Sequence, residues 1–248
     1  MSKTFGDLKS EAVDRAQRQK YVAHLFDDLA PHYDRFNRWV SLFRDESWRK
    51  QTVALLGEQA AGTVLDLAAG TGDLARQAAK TSQRRVHVFD ISFDMLAQAK
   101  MKLRANGQVE RFAFEQGSGH LLPFRNEAFS GIVSGFAMRN VFHFLDEVLS
   151  EMFRVLEPGG KFAILELSKP QNRLLRAGFR LHMKTVVPLI GRLTTGKLDP
   201  FDYLYQTTMT FLSPVEFKAM LEKAGFVEVS WKSYLLGGIA IHYGMKPG

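Results

Sequence analysis

Thr63-Val-Leu-Asp-Leu-Ala-Ala-Gly-Thr-Gly-Asp-Leu74 is the stretch on which the reading of this chain turns. Its short apolar run predicts a buried strand that ends at Asp66. A turn of small residues follows (Ala68, Ala69, Gly70, Thr71, Gly72), and a helical pattern starts at Asp73. Small residues leave the backbone open to close approach by a ligand. That ligand would lie at the carboxyl end of a strand and the amino end of a helix, the usual position in open α/β sheets. Asp66, two residues before Ala68, would repel a pyrophosphate but suits a cation, an amine or a ribose hydroxyl. Against this, Gly70-Thr-Gly72-Asp-Leu-Ala75 also fits the dinucleotide pattern G-x-G-x-x-[GA], and Asp90 follows at about the 20 residues that pattern asks for. A dinucleotide site, a site for another nucleoside-bearing ligand and a purely structural glycine turn all remain open at this point.

Outward from that stretch the pattern alternates. Helix 72–81 is followed by a strand, Arg85-Val-His-Val-Phe-Asp90, that again ends in an acid. Ser92 is placed as the N-cap of a helix from Phe93 to Leu103. Residues 110–115 and 129–134 predict two further strands around a loop at 117–124. A helix at 145–156 stops at Glu157-Pro-Gly-Gly160, and Lys161-Phe-Ala-Ile-Leu-Glu166 reads as a fifth strand. Strands that alternate with helices imply right-handed crossovers and a parallel sheet. After Ser213-Pro, an N-cap with proline at the first helical position, a helix runs to Gly225. Two apolar strands, 226–231 and 238–243, then follow with a link too short for a crossover helix, so they must be antiparallel. A parallel sheet closed by an antiparallel hairpin is the layout of class I methyltransferases, Rossmann-like α/β enzymes that use S-adenosyl-L-methionine. A nicotinamide-binding sheet would continue with another parallel strand. The residues before the first strand predict helices at 7–30 and 38–56, broken by Pro31 and His32-Tyr-Asp-Arg-Phe-Asn37, that cap the site.

Composition narrows the classes. Hydrophobic residues make up 46% of the chain, enough for one sizeable core, so 1–248 is read as a single domain with a cap at 1–60 and a substrate-side insertion at 168–212. The absence of cysteine excludes disulfides, thiolate metal sites and a cysteine nucleophile. No His/Asp/Glu cluster has metal-ligand spacing, so no metal is predicted. The N-terminus lacks an apolar signal core and no run approaches 18 apolar residues, which fits a cytoplasmic protein that is soluble or peripheral to the inner membrane. The net charge is +7, and seven basic residues with no acid lie between Ser168 and Leu198; without them basic and acidic residues balance at 26 each. At about 100° per residue, Arg173, Arg176, Arg180 and Lys184 fall on one arc of a helix, with Leu175, Phe179 and Val186 roughly opposite. This is the pattern of a basic amphipathic helix on an anionic membrane surface, and equally of a core-packing helix with a solvated basic face. Without interleaved aromatic platforms the segment does not point to nucleic acid. A homo-oligomer is compatible with the sequence.

Several stretches together resemble the quinone-biosynthesis C-methyltransferases of the UbiE/MenG type. They are Ala30-Pro-His-Tyr-Asp34 with Asn37, Leu65-Asp-Leu-Ala-Ala-Gly-Thr-Gly-Asp73, Asp90-Ile-Ser with Met95-Leu96, and Leu122-Pro-Phe124. Phe136-Ala-Met-Arg-Asn140, Leu156-Glu-Pro-Gly-Gly160, Leu165-Glu-Leu-Ser-Lys-Pro170, Pro188-Leu-Ile-Gly191, Tyr203-Leu204 and Ile239-Ala-Ile-His-Tyr-Gly244 complete the set. The resemblance covers roughly residues 22–246 and implies transfer of a methyl group from S-adenosyl-L-methionine to a ring carbon of a prenylated quinol, in menaquinone or ubiquinone biosynthesis. It implies cofactor contacts at Thr71 and at Asp90, whose carboxylate would accept from both ribose hydroxyls. Asp66, Ala68, Gly70, Gly72, Ile91, Ser118, Gly119 and Gly135 complete the candidate cofactor set. At the adenine position the family has Asn or Asp followed by Ala, where this chain has Ser118-Gly119; a serine cannot match an amide or a carboxylate. Gly135 and Ala137 are further departures, standing where relatives have Ser and Gly.

The resemblance points to Arg139, Asn140 and Tyr33 as the catalytic group. An aromatic carbon attacks a sulfonium methyl well only when an ortho hydroxyl has lost its proton, so the substrate would be the reduced quinol. Arginine stays protonated, which casts Arg139 as stabilising a developing phenolate or orienting a water; a structural salt bridge is the plainer alternative. Tyr33 and Asn140 can hydrogen-bond the quinol oxygens, and for Tyr33 plain packing in the lid competes with chemistry. His120 lies in the loop beside the adenine or methyl site, whereas His182 and His242 read as core histidines. Other small molecules or lipids are alternative methyl acceptors; from other classes, an NAD-dependent oxidoreductase and a catalytically idle binding domain are the alternatives.

Overall fold

Val64, Leu65 and Leu67 of β1 (Thr63–Leu67) are buried because both faces of the strand are covered. Side chains alternate across a strand, and the alternation splits the core in two. Leu65 and Leu67 join Phe89, Ile132, Phe162 and Ile164 on one face. Val64 joins Val86, Val88, Val133 and Ala163 on the other. β1 pairs in parallel with β2 (Arg85–Asp90) on one side and with β4 (Phe129–Gly135) on the other. A computed structural model describes residues 15–57, 62–81, 85–105, 109–196 and 199–248.

The sheet has seven strands in the order β3-β2-β1-β4-β5-β7-β6, with β3 at Phe112–Gln116 and β5 at Leu156–Leu167. The strands β3 to β5 of that order are parallel, whereas β7 (Ile239–Met245) runs antiparallel to both β5 and β6 (Val227–Tyr234). The antiparallel C-terminal hairpin is therefore as the short link required. Chain order reverses between β1 and β4, which opens a crevice at the carboxyl ends of β1, β2 and β4. Helices α4 (Asp73–Thr81) and α5 (Phe93–Arg104) cover one face of the sheet. Helices α6 (Leu145–Val155) and α9 (Pro214–Lys223) cover the other. Ser92 caps α5 by accepting from the Met95 amide at 3.1 Å. Ser213 and Glu216 form a reciprocal capping box at the start of α9.

The N-terminal block differs from its sequence reading. α1 spans Arg15–Leu29, so the first part of the expected 7–30 helix lies outside the described residues. The expected single helix 38–56 is two: α2 covers Tyr33–Val40 and α3 covers Asp45–Ala54. Leu42 and Phe43 separate them in left-handed conformations with φ of 52° and 62°. That break turns α3 so that Trp48 and Val53 reach the sheet. No glycine or proline marks it, and the apolar pattern runs straight through. Residues 109–111 form a 3-10 turn ahead of the third strand, and β5 begins at Leu156 rather than Lys161.

Between β5 and α9 lie α7 (Arg173–Thr195) and α8 (Asp199–Thr210). α7 packs inward through Met183 and Val187, against Phe36 of α2 and Phe201 of α8. Of the apolar side chains opposite the basic arc, Leu175 and Val186 are exposed and Phe179 is half-buried. His182, read as a core histidine, is exposed as well. His242 is buried as expected: its Nε2 lies 3.0 Å from the Pro214 carbonyl and its ring packs on Phe217.

Candidate active site

The turn after β1 is built from below. Asp66 is fully buried and one of its oxygens accepts from the Ala75 amide at 2.7 Å, which ties the strand end to the first turn of α4. Its other oxygen is buried without a hydrogen-bond partner. Burial pushes this carboxyl up to about 7, helped by the nearby acids Asp90 and Asp73. Gly72 has φ 77°, and a Cβ there would lie 3.1 Å from Ala99 and from Leu103, so the turn can rest on α5 only with glycine. At Gly135 a Cβ would lie 2.9 Å from the end of the Leu74 side chain, so the end of β4 packs close against α4.

Asp66 has a testable consequence. A carboxyl raised by folding favours the protonated native state, so its contribution is greatest below the unfolded value of 3.8 and is lost as pH rises through about 7. Asp66→Asn should therefore be more stable than the parent at about pH 8, by at most about 4 kcal/mol at 1.4 kcal/mol per pKa unit. The gain should shrink towards pH 4. His242 acts with the opposite sign. Burial lowers it to about 4, so its stabilisation is present above 6.5 and lost as pH falls through 4. Thermal melts across pH 4–9 read both effects; an equal gain for Asp66→Asn at pH 5 and pH 8 would show that Asp66 does not titrate in that window.

Asp90 closes β2 at the floor of a cavity of about 700 Å³. Its carboxylate accepts from the Gly70 amide at 2.7 Å and from the Ser92 amide at 2.8 Å, on different oxygens, and from the Ile91 amide as well. The acceptor capacity left on this carboxylate suits a ribose hydroxyl. Ala68, Ile91, Ser118, Gly119, Arg139 and Asn140 line the same cavity, with Leu67, Phe89, Phe144 and Val148 as its apolar wall. These groups fit a nucleoside: acceptors for the sugar beside an apolar slot for the base.

The other candidate residues point elsewhere. Asp66, Gly70, Gly72 and Gly135 shape the turn and the helices around it. Thr71 donates to Asp34 of α2 at 2.5 Å, and Lys102 of α5 reaches Asp34, Thr71 and Asp73 at 2.6, 3.0 and 2.8 Å. This charged cluster fastens the helical cap to the glycine turn. Asp34 stood in the sequence pattern without a role, and no local signal singles out Lys102.

A second, apolar cavity of about 160 Å³ lies between α1, α2, α7, α8 and the β6–β7 link. Tyr33, Asn37, Phe179 and Met183 are among its walls. Arg139 and Tyr203 line both cavities and so stand at their boundary. Phe136, in a left-handed conformation at φ 59°, turns the chain out of β4 and into the segment that carries Arg139. The Arg139 guanidinium donates to buried Glu166 at 2.7 Å and to the Phe136 carbonyl. Arg139 Nε and Asn140 Oδ1 are buried without hydrogen-bond partners, a donor and an acceptor held at this boundary. Burial raises the Tyr33 phenol, against neighbouring Asn37 and the charge of Arg139 that lower it, so Tyr33 is kept protonated as a donor. Glu166 and Tyr203 were visible in the sequence only as members of motifs; that Glu166 pairs with Arg139 and that Tyr203 lines both cavities are tertiary facts.

The chain matches the ubiE/COQ5 methyltransferase family over residues 14–246. It belongs to that family. A demethylmenaquinone methyltransferase of Symbiobacterium thermophilum is 36% identical over 239 residues, 93% of this chain and 94% of that one. A ubiquinone/menaquinone biosynthesis C-methyltransferase UbiE of Bartonella bacilliformis is 34% identical over 250 residues, 99% of this chain and 95% of that one. Among solved structures, the phosphoethanolamine N-methyltransferase 2 of Haemonchus contortus in complex with S-adenosyl-L-methionine has a TM-score of 0.60 at 17% identity, covering 82% of this chain and 53% of that one. The [4+2]-cyclase SpnF has a TM-score of 0.67 at 17% identity, covering 92% and 96%. These two establish the shared fold. As a member of the ubiE/COQ5 family the chain is an S-adenosylmethionine-dependent methyltransferase, and the layout of the sheet agrees.

Proposed function

We propose that this enzyme methylates a ring carbon of a prenylated quinol in menaquinone or ubiquinone biosynthesis, with its ring at Arg139 and its tail in the apolar cavity. The observation that carries the reading is the position of Arg139 and Tyr203 on the wall shared by the polar, nucleoside-fitting cavity and the apolar one. Bound S-adenosylmethionine supplies an activated methyl group, so the protein has to align the acceptor and exclude water. Arg139 Nε faces charge developing on a quinol oxygen, Asn140 and Tyr33 hydrogen-bond the ring oxygens, and Glu166 fixes the guanidinium plane. The cap (α1 to α3) and the insertion (α7 and α8) form the substrate side. Mass spectrometry of quinones from a methyltransferase-deficient host carrying this gene tests the assignment: methylated quinone should return. Continued accumulation of the demethyl quinone, with folded enzyme present, would reject it.

A long prenyl tail keeps such a substrate in the bilayer, and α7 supplies a contact surface. Leu174 and Leu193 are 83% and 77% exposed, and Leu181 and Leu189 are exposed between them. Arg173 and Arg180 are exposed along the flank, whereas Arg176 bonds to the Pro170 carbonyl and Lys184 stacks over Tyr205. Among the described residues no helix is long and apolar enough to cross a membrane, so contact would be peripheral. Apolar residues beside basic ones suit an anionic lipid surface, with about 1 kcal/mol from each basic residue. The enzyme should sediment with anionic liposomes at low salt, less at high salt and less after Arg173→Glu plus Arg180→Glu. Equal binding to zwitterionic vesicles, or undiminished binding by the double variant, would reject this surface.

A further inference from the structure

The loop that follows β3 carries Ser118-Gly119, and its hydroxyl is already engaged. Ser118 Oγ lies 2.6 Å from His120 Nδ1. The Gln19 amide nitrogen, from α1 of the cap, donates to Ser118 Oγ at 3.2 Å and lies 3.0 Å from the same His120 nitrogen. His120 is itself seated edge-on against Phe144, with ring centroids 5.5 Å apart. Gln19, Ser118, Gly119 and Phe144 all line the cavity that fits the nucleoside.

An adenine presents an exocyclic amine that needs an acceptor, and a hydroxyl committed to two neighbours is a poor one. The Gln19 carboxamide is held by its nitrogen, so its carbonyl oxygen is left to accept. We propose that Gln19, reaching across from the cap helix, is the adenine-reading residue of this enzyme, its Oε1 accepting from the exocyclic amine. Ser118 and His120 act as positioning residues that hold the amide. The arrangement makes the cap part of the cofactor site: α1 is docked by the base that it reads. Arg18, next to Gln19, reaches His143 across the same cavity at 2.7 Å, so α1 grips both of its walls. The inference rests on the cofactor lying in this cavity and is independent of the methyl acceptor.

The test is calorimetric titration of the full chain with S-adenosylhomocysteine and with S-inosylhomocysteine, which carries a carbonyl in place of the amine. The parent should prefer the adenosyl ligand. Gln19→Leu should lose about three- to tenfold of affinity for the adenosyl ligand, the worth of one neutral hydrogen bond. Its preference over the inosyl ligand should shrink by that same factor. Gln19→Glu keeps an acceptor and should keep the preference. Three results would overturn the proposal: a parent without preference, a Gln19→Leu variant that discriminates as the parent does, or equal losses for both ligands. The last would reduce Gln19 to a latch between cap and loop.

Discussion

Replacing Asp90 with alanine is expected to weaken S-adenosylhomocysteine binding by roughly 2–4 kcal/mol, taking each charge-assisted hydrogen bond to the ribose at about 1.5–3 kcal/mol with partial overlap. The structure adds a second source of loss. The same carboxylate holds the Gly70 and Ser92 amides, so its removal also leaves a half-buried donor at the turn and a buried one at the cap of α5 unpaired. Both effects have the same sign for binding, but only one depends on the sugar. An S-adenosylhomocysteine analogue lacking the 2′-hydroxyl separates them: it should bind the parent weakly and bind Asp90→Ala no worse than the complete ligand does. Unchanged affinity of Asp90→Ala for S-adenosylhomocysteine would mean that the ribose is held elsewhere.

Why Asp90 stood out in the sequence, and Gln19 did not, is a matter of range. The strand from Arg85 to Asp90 announces its end by an acid after an apolar run, and its neighbours fix where that end lies. The same local logic located β1, the glycine turn, the Ser92 cap and the C-terminal hairpin. It failed between α2 and α3, where Leu42 and Phe43 adopt left-handed conformations without the glycine that usually marks them. It left two readings of α7 open. Periodicity separates the faces of a helix but does not say which of them will find a partner, and here the buried seam is Met183 and Val187 while Leu175 and Val186 face out. Site residues divide in the same way. Motifs bring candidate residues to attention, yet the Gln19–Ser118, Thr71–Asp34 and Arg139–Glu166 contacts join segments far apart in sequence. The glycines at 72 and 135 show the converse: their motif role was read as ligand contact, and the nearest demand on them is the packing of α5 and α4.

Arg139→Lys is the sharper test of the chemistry. The guanidinium is buried at a point where three demands meet: the ion pair to Glu166, the carbonyl of Phe136 and an Nε–H with no protein partner. A structural salt bridge and a catalytic donor are thus the same side chain, and truncation to alanine would confuse them. Removing one partner of a buried pair costs about 3–5 kcal/mol by itself. Lysine retains the charge for Glu166 but loses the planar fork, so it cannot meet the other two demands at once. Turnover is expected to fall by about 100-fold or more, in line with the loss of a preorganised donor to developing charge. Affinity for S-adenosylhomocysteine should stay within about threefold of the parent, and the melting temperature should fall by only a few degrees. Glu166→Gln provides the contrast. It leaves the guanidinium in place but unpaired, so it should lower the melting temperature further than Arg139→Lys while reducing turnover less. If turnover instead follows stability across the two variants, Arg139 is a structural ion pair, and the donor to the quinol oxygen must be sought at Tyr33 or Asn140.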